Sequence, residues 1–232
     1  MSRPAGRVEP PPAVAVAVDV AVFTVRARAL HVLLVQVREG PFAGRWALPG
    51  GRVLPDEPLD AAAARELAAQ TGIADIYLEQ LYTFGSPERD PAARVVSVAY
   101  VALIAHGGRF GDADAGARPG AKYAAVAWRP VDDLPPLAYD HAAVVATARA
   151  RLRAKLGYTN LVYTLLPREF TLGELQEMYE AIFGRPLDRR NFRKKILGLG
   201  LLRALGRMRR GAHRPAALYA FRQRRPMIVQ IL

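Results

Sequence analysis

Residues 51–73 read GRVLPDEPLDAAAARELAAQTGI, a loop that feeds a helix. Asp56 is the expected N-cap, Pro58 is tolerated in the first turn, and Gly72 suits the left-handed position that ends the helix. Positions 66, 69 and 70 stand at i, i+3 and i+4, so they share one helical face. Of the three only Glu66 carries a carboxylate; the others are Ala69 and Gln70.

Outward from this helix the pattern changes to period two. Val14 to Arg26 and Leu30 to Arg38 are valine-rich runs with Arg28 and Ala29 near their turn, and both read as strands. The loop GPFAGRWALPGG (40–51) leads into the helix. Further strands are expected near Ile76 to Tyr82, over Val95 to Ala105 and over Lys122 to Arg129, with a Gly/Asp-rich loop from Gly107 to Gly120. Strands on both sides of one helix imply an α+β sandwich. From Asp140, the expected cap, to Leu156, apolar residues recur at Val144, Val145, Ala148, Leu152 and Leu156. That spacing is helical and closes the first domain.

Charge divides the chain. Residues 1–150 hold 15 Lys+Arg against 16 Asp+Glu, whereas 151–232 hold 18 against 5. A basic surplus confined to one segment is the footprint of a polyanion partner, nucleic acid or anionic membrane. No cysteine is present, which excludes disulfides, thiolate zinc sites and a cysteine nucleophile. Asp19 interrupts the apolar run from Ala13 to Val25, so a strand is expected there and not a signal sequence, and no stretch is long enough to span a membrane.

The basic segment has its own grammar. Thr171 with Glu174 three positions later is a capping box for a helix through Ile182, lined by Leu172, Leu175, Met178, Tyr179 and Ile182. Gly184 ends it and Asp188 caps a second helix from Arg189 to about Leu199. There Phe192, Ile196 and Leu199 point inward and Arg190, Arg193 and Lys194 outward. Two short strands, Leu201 to Leu205 and Ala216 to Phe221, are joined by the basic GRMRRGAHRP. Helix, turn, basic helix and basic hairpin describe a winged helix-turn-helix. The candidate DNA contacts are Arg189, Arg190, Asn191, Arg193, Lys194 and Lys195 on the helix, with Arg207, Arg209, Arg210, His213 and Arg214 in the wing. Guanidinium forks suit guanine, an asparagine suits adenine, and wing cations suit phosphate. For His213 a plain loop histidine is the simpler reading.

Gly51, Glu57, Arg65, Glu66, Leu67, Gly72 and Ile73 fall in the register of the Nudix box, which the 51–73 segment resembles. In an active Nudix protein, three carboxylates on the box helix gather magnesium, which offsets diphosphate charge and activates water. With Ala69 and Gln70 in two of those places, hydrolysis is expected to be weak or absent, with no catalytic or metal-binding residues and no need of magnesium. The two halves together resemble the NrtR family, Nudix-related transcriptional regulators of NAD metabolism. The resemblance rests on the box, on GPFAGRWALPGG after Arg38, on RVVSVAY (94–100) and AYDH (138–141), and on the stretch from Tyr158 to Leu202 with RPAALYAF (214–221).

Four prolines and few apolar groups make 1–12 a disordered lead, and the tail (223–232), mostly apolar from Met227 to Leu232, reads as either a dimer strand or a frayed end. What the resemblance implies is a Nudix α/β/α sandwich (13–156) followed by a winged helix-turn-helix (157–222). It implies a homodimeric bacterial repressor in the cytoplasm, nucleoid-associated when bound to a palindromic operator, and responsive to an NAD-related effector such as ADP-ribose or NAD. The ligand residues carried over are Arg38, Phe42, Arg45, Trp46, Gly50, Gly51, Arg65 and Glu66. Phe42 and Trp46 also have a core reading, and Arg65 that of a partner to Glu57 or Glu66. A structural role suits His141, and a solvated turn suits Asp112 and Asp114. Two other readings stay open, a Nudix pyrophosphatase acting on ADP-ribose or NADH through a non-standard metal site, and an RNA-binding or scaffold protein.

Overall fold

The computed structural model describes residues 13–74, 76–105, 122–210, 215–229 and 231. Strands β1 (Ala15–Arg26) and β2 (Ala29–Val37) form the expected hairpin. Arg26 pairs with Ala29, which puts the two-residue turn at Ala27 and Arg28, one position earlier than the sequence implied. Both take positive φ, 46° and 63°, the twist that a two-residue hairpin turn requires. The loop before the box carries two short strands, β3 (Trp46–Ala47) on β2 and β4 (Gly50–Arg52) on β1. Strands β5 (Leu78–Phe84), β6 (Val95–Leu103) and β7 (Tyr123–Pro130) complete a seven-stranded mixed sheet. Within it β1 and β6 are parallel.

Period-two alternation on β1 divides the core. Val18, Val20 and Val22 face helix α1 (Leu59–Thr71), meeting Ala62, Ala63 and Leu67. Ala21, Phe23 and Val25 face helix α2 (His141–Tyr158), meeting Val144, Ala148 and Leu152. Asp56 does not cap α1: Pro58 holds the N-cap position without a side-chain bond. The loop ahead of it is closed instead by Glu57, whose Oε1 accepts the Leu54 N–H at 2.8 Å. Asp60, in the first turn, accepts from the Tyr100 hydroxyl at 2.6 Å. Gly72 ends the helix at φ 73°, as expected. Asp140 likewise holds the N-cap position of α2 without capping it, because its carboxylate turns to Arg89.

The second domain follows a short 3-10 turn (Leu161–Thr164). Its helices are α3 (Leu172–Phe183) and α4 (Arg189–Gly198). The capping box is complete: Thr171 Oγ1 accepts from Glu174 N at 3.1 Å, and Glu174 Oε2 accepts from Thr171 N at 2.7 Å. Thr171→Ala is expected to cost about 1 kcal/mol, read as a drop of ~2–4 °C in the thermal midpoint. The wing is larger than the sequence implied. Strand β8 (Phe170–Thr171) pairs with β10 (Ala216–Phe221), which pairs with β9 (Leu202–Arg209). Residues expected in the connecting loop, including Arg207 and Arg209, therefore lie on β9. Leu199 is the half-buried C-cap of α4.

One apolar core runs through both domains, from Phe23 and Leu152 to Leu175, Phe192 and Phe221. Arg28, in the β1–β2 turn, approaches Glu177 at 3.7 Å on α3, and Arg153 on α2 donates to Ile182 O at 2.8 Å. The described tail residues are tied to the connector and not frayed. Val229 N donates to Tyr158 O at 2.8 Å, Ile231 N to Gly157 O at 2.9 Å, and Met227 N to Asn160 Oδ1 at 2.8 Å. Buried Asn160 and Ile231 explain this, since the tail satisfies the connector's polar groups while covering its apolar side. No helix among the described residues is long and apolar enough to cross a membrane.

Candidate nucleotide cleft and DNA-binding face

A cleft of about 850 Å³ opens where β1, β2 and β4 meet the box helix and the start of α2. Its floor is a buried charged cluster. Arg89 donates to Asp19 Oδ2 at 2.9 Å and to Asp140 Oδ1 and Oδ2 at 2.9 and 3.1 Å. Ser97 Oγ donates to Asp19 Oδ2 at 2.6 Å. His141 has both ring nitrogens engaged: Nδ1 accepts the Leu48 N–H at 2.8 Å, which leaves Nε2 to donate to Asp19 Oδ1 at 3.2 Å. Burial pushes the Asp19 carboxyl up, but the contacts from His141, Ser97 and Arg89 outweigh it and hold the pKa at about 2.

The walls differ in chemistry. Arg38, Arg52 and Lys122 are cations at the rim, which suits a diphosphate. Tyr139, itself at φ 53°, presents an aromatic face and packs 4.5 Å from Phe42 and 5.1 Å from His141. Such a face suits a purine ring. Burial is also the first cause that raises the Tyr123 hydroxyl, with Glu66 adding to it, so this phenol stays a neutral hydrogen-bonding group. The cleft therefore offers cations at its mouth, a planar wall and a fixed polar floor.

The box helix supplies one edge. Glu66 accepts from Arg65 Nη1 at 2.6 Å and from Gln70 Nε2 at 2.5 Å. Gly51 lies so close to this carboxylate that a Cβ there would strike it. Ala69 is exposed, and among the described residues no group of three His, Cys, Asp or Glu side chains is placed to hold a metal ion. The described residues of the box helix therefore do not supply a three-carboxylate set for magnesium.

In the second domain α4 presents a basic face. Arg189, Arg190, Asn191, Lys194 and Lys195 are exposed, while Arg193 is half-buried and Phe192 and Ile196 point into the core. In the wing, Arg207 pairs with Glu169 and Arg209 with Glu174. Arg210 is exposed.

The family model for the NUDIX domain matches residues 14–148, and the model for the NrtR DNA-binding winged helix domain matches 162–221. The ADPR responsive transcriptional repressor NtrR of Acinetobacter baylyi is 37% identical over 206 residues, spanning 88% of this chain and 80% of its own. The chain belongs to the NrtR family. A crystal structure of Shewanella oneidensis NrtR complexed with a 27mer DNA superimposes with a TM-score of 0.76 at 35% identity, covering 89% of this chain and 93% of that one. The NUDIX domain of the same protein, complexed with ADP ribose, aligns at 38% identity and a TM-score of 0.54, covering 60% of this chain and 89% of that one.

Within this NrtR-family fold the ligand residues expected from the sequence divide into two groups. Arg38, Gly50, Gly51 and Glu66 line the cleft, although one Arg38 nitrogen is already bonded to Tyr123 O at 3.0 Å. Phe42 stands behind Tyr139, and Arg45 lies 5.8 Å over the Phe42 ring. Trp46 is half-buried against the core under the Arg129 guanidinium, at 4.6 Å. Arg65 does not line the cleft; it is paired with both Glu57 and Glu66. Asp112, Asp114, His213 and Arg214 lie outside the described residues.

Sequence reading missed Asp19, Arg52, Arg89, Lys122, Tyr123 and Tyr139 as cleft residues. For Asp19 a signal existed, a lone carboxylate at an inward position of a valine strand. Arg207 and Arg209 were expected to contact phosphate, yet both are engaged by glutamates in the free protein. β9 carries them back over the start of α3, where Glu169 and Glu174 lie.

Proposed function

We propose that the chain is a DNA-binding transcriptional repressor whose Nudix domain binds ADP-ribose as a signal without hydrolysing it. The observation that carries this reading is the connection between cleft and DNA face. The α2 helix starts in the cleft floor, at Asp140 and His141, and farther along it Arg153 bonds to Ile182 O on α3. Rim cations and the Tyr139 face support diphosphate and adenine as the recognised groups. Glu66 as the one carboxylate among positions 66, 69 and 70 supports binding without metal-assisted hydrolysis, which would destroy the signal.

The working form is a homodimer in the bacterial cytoplasm, at the nucleoid when bound, on a palindromic operator upstream of genes for NAD biosynthesis or salvage. The effector alters the spacing or tilt of the two α4 helices so that they no longer fit half-sites one helical turn, or a multiple, apart. ADP-ribose is expected to weaken operator affinity by roughly 5–150-fold, a coupling of about 1–3 kcal/mol. Linkage requires operator DNA to weaken ADP-ribose binding by the same factor. Paired titrations at one fixed salt concentration, with and without EDTA, measure both. Equal ADP-ribose affinity for free and operator-bound protein would refute this account.

A further inference from the structure

Gln70 is buried, and its carboxamide makes three bonds at the edge of the cleft. Oε1 accepts the Gly50 N–H at 3.0 Å, while Nε2 donates to Gly50 O at 2.6 Å and to Glu66 Oε2 at 2.5 Å. The pairing with both backbone groups of Gly50 sets which end of the amide is which, so the nitrogen must lie between the carbonyl and the carboxylate. Two oxygens of this kind converging on one point are part of the oxygen ligand set a hard divalent cation takes, the remainder being water. Here a neutral nitrogen with two N–H donors fills that point and satisfies both acceptors. The Glu66 charge is met from the other side by Arg65, 2.6 Å away.

We propose that the Gln70 carboxamide is an internal substitute for a divalent cation, holding the Gly50–Gly51 strand against Glu66 and keeping the cleft formed without metal. The proposal rests on the functional reading above only for the meaning of the cleft, since the occupancy of this point is a matter of Gln70, Gly50 and Glu66. A single exchange to carboxylate should then reverse the arrangement. Gln70→Glu removes both donors and sets a second carboxylate beside Glu66 and a carbonyl oxygen, an arrangement of like charges that a cation relieves.

The test is a manganese titration of the full-length chain followed by electron paramagnetic resonance, with no nucleotide present. Wild type is expected to show no specific site up to millimolar Mn2+, whereas Q70E gains one with a dissociation constant about tenfold or more below that concentration, and the site is lost again in Q70E/E66Q. Equal binding by wild type and Q70E would overturn the proposal, and so would a folded Q70E that binds nothing. Should Q70E fail to fold, Q70A serves. It removes the amide without adding charge, and Mn2+ is expected to raise its thermal midpoint while leaving that of wild type unmoved. No rise in Q70A would likewise overturn it. The readout is metal occupancy, so it remains decisive whether or not ADP-ribose proves to be the effector.

Discussion

Replacing Arg89 with methionine is expected to lower stability by about 3–5 kcal/mol, the cost of leaving buried Asp19 and half-buried Asp140 without their cation. The Arg89 side chain is 4% exposed, and it bridges Asp19, itself 8% exposed, to Asp140. Methionine fills similar volume, so the loss reports charge more than packing. In a chain of this length the thermal midpoint should fall by roughly 6–20 °C.

The pH dependence identifies the cause. The Asp19 pKa is lowered from 3.8 to about 2 in the folded protein, so its contribution is fully present above about pH 4 and is lost as pH falls towards 2. Without Arg89 the Asp19 carboxyl takes up its proton at higher pH, which relieves the uncompensated charge. The gap between wild type and variant should therefore be widest near neutrality and close as pH falls. Urea denaturation at a series of pH values measures it. A deficit that stays constant from pH 7 to 3 would mean that Arg89 acts through packing and not through its charge. Because Asp140 begins α2, the variant should also lose much of the response of DNA binding to ADP-ribose under conditions where it remains folded.

The second large effect is expected on the α4 face. Arg190 and Lys194 are exposed one turn apart and project from the side opposite Phe192 and Ile196. Two lost contacts at about 1–3 kcal/mol each predict that R190A/K194A binds the operator at least ~30-fold more weakly. The fold should be unaffected, since neither side chain enters the core. Competition against scrambled DNA at fixed salt distinguishes how the contacts work. If Arg190 reads a base, the preference for operator over scrambled sequence falls with affinity. Where both residues meet phosphate, the two affinities fall together and the salt slope drops by about 0.9 per contact. An unchanged operator affinity would remove α4 as the reading helix. The wing then becomes the main contact, and its arginines must first leave Glu169 and Glu174.

Much of this architecture is legible in local pattern. Alternating valines marked β1 and β2, the Thr171–Glu174 pair marked the start of α3, and Asp188 marked that of α4, where its carboxylate accepts from Asn191 N at 2.7 Å. These signals are readable because each is made by residues within a few positions of one another. The cap expected at Asp140 failed because its carboxylate had a better partner at a distance. Asp140 follows the pattern of an N-cap, but a buried guanidinium competes for it, and a charged pair outweighs a helix cap.

By itself the sequence determined the two domains, the box helix with a carboxylate at 66 but none at 69 or 70, and the basic α4 face, because period, capping chemistry and charge are local properties of a chain. Only the tertiary structure decided what Asp19 and Gln70 do. Asp19 meets Arg89 and Ser97, 70 and 78 positions away, and Gln70 meets Gly50, 20 positions away. Those meetings depend on sheet register, β1 lying parallel to β6 and antiparallel to β4, and on α1 packing across them. Register is set by the summed burial of whole strands, so no local pattern announces which buried polar groups it will bring within reach of each other.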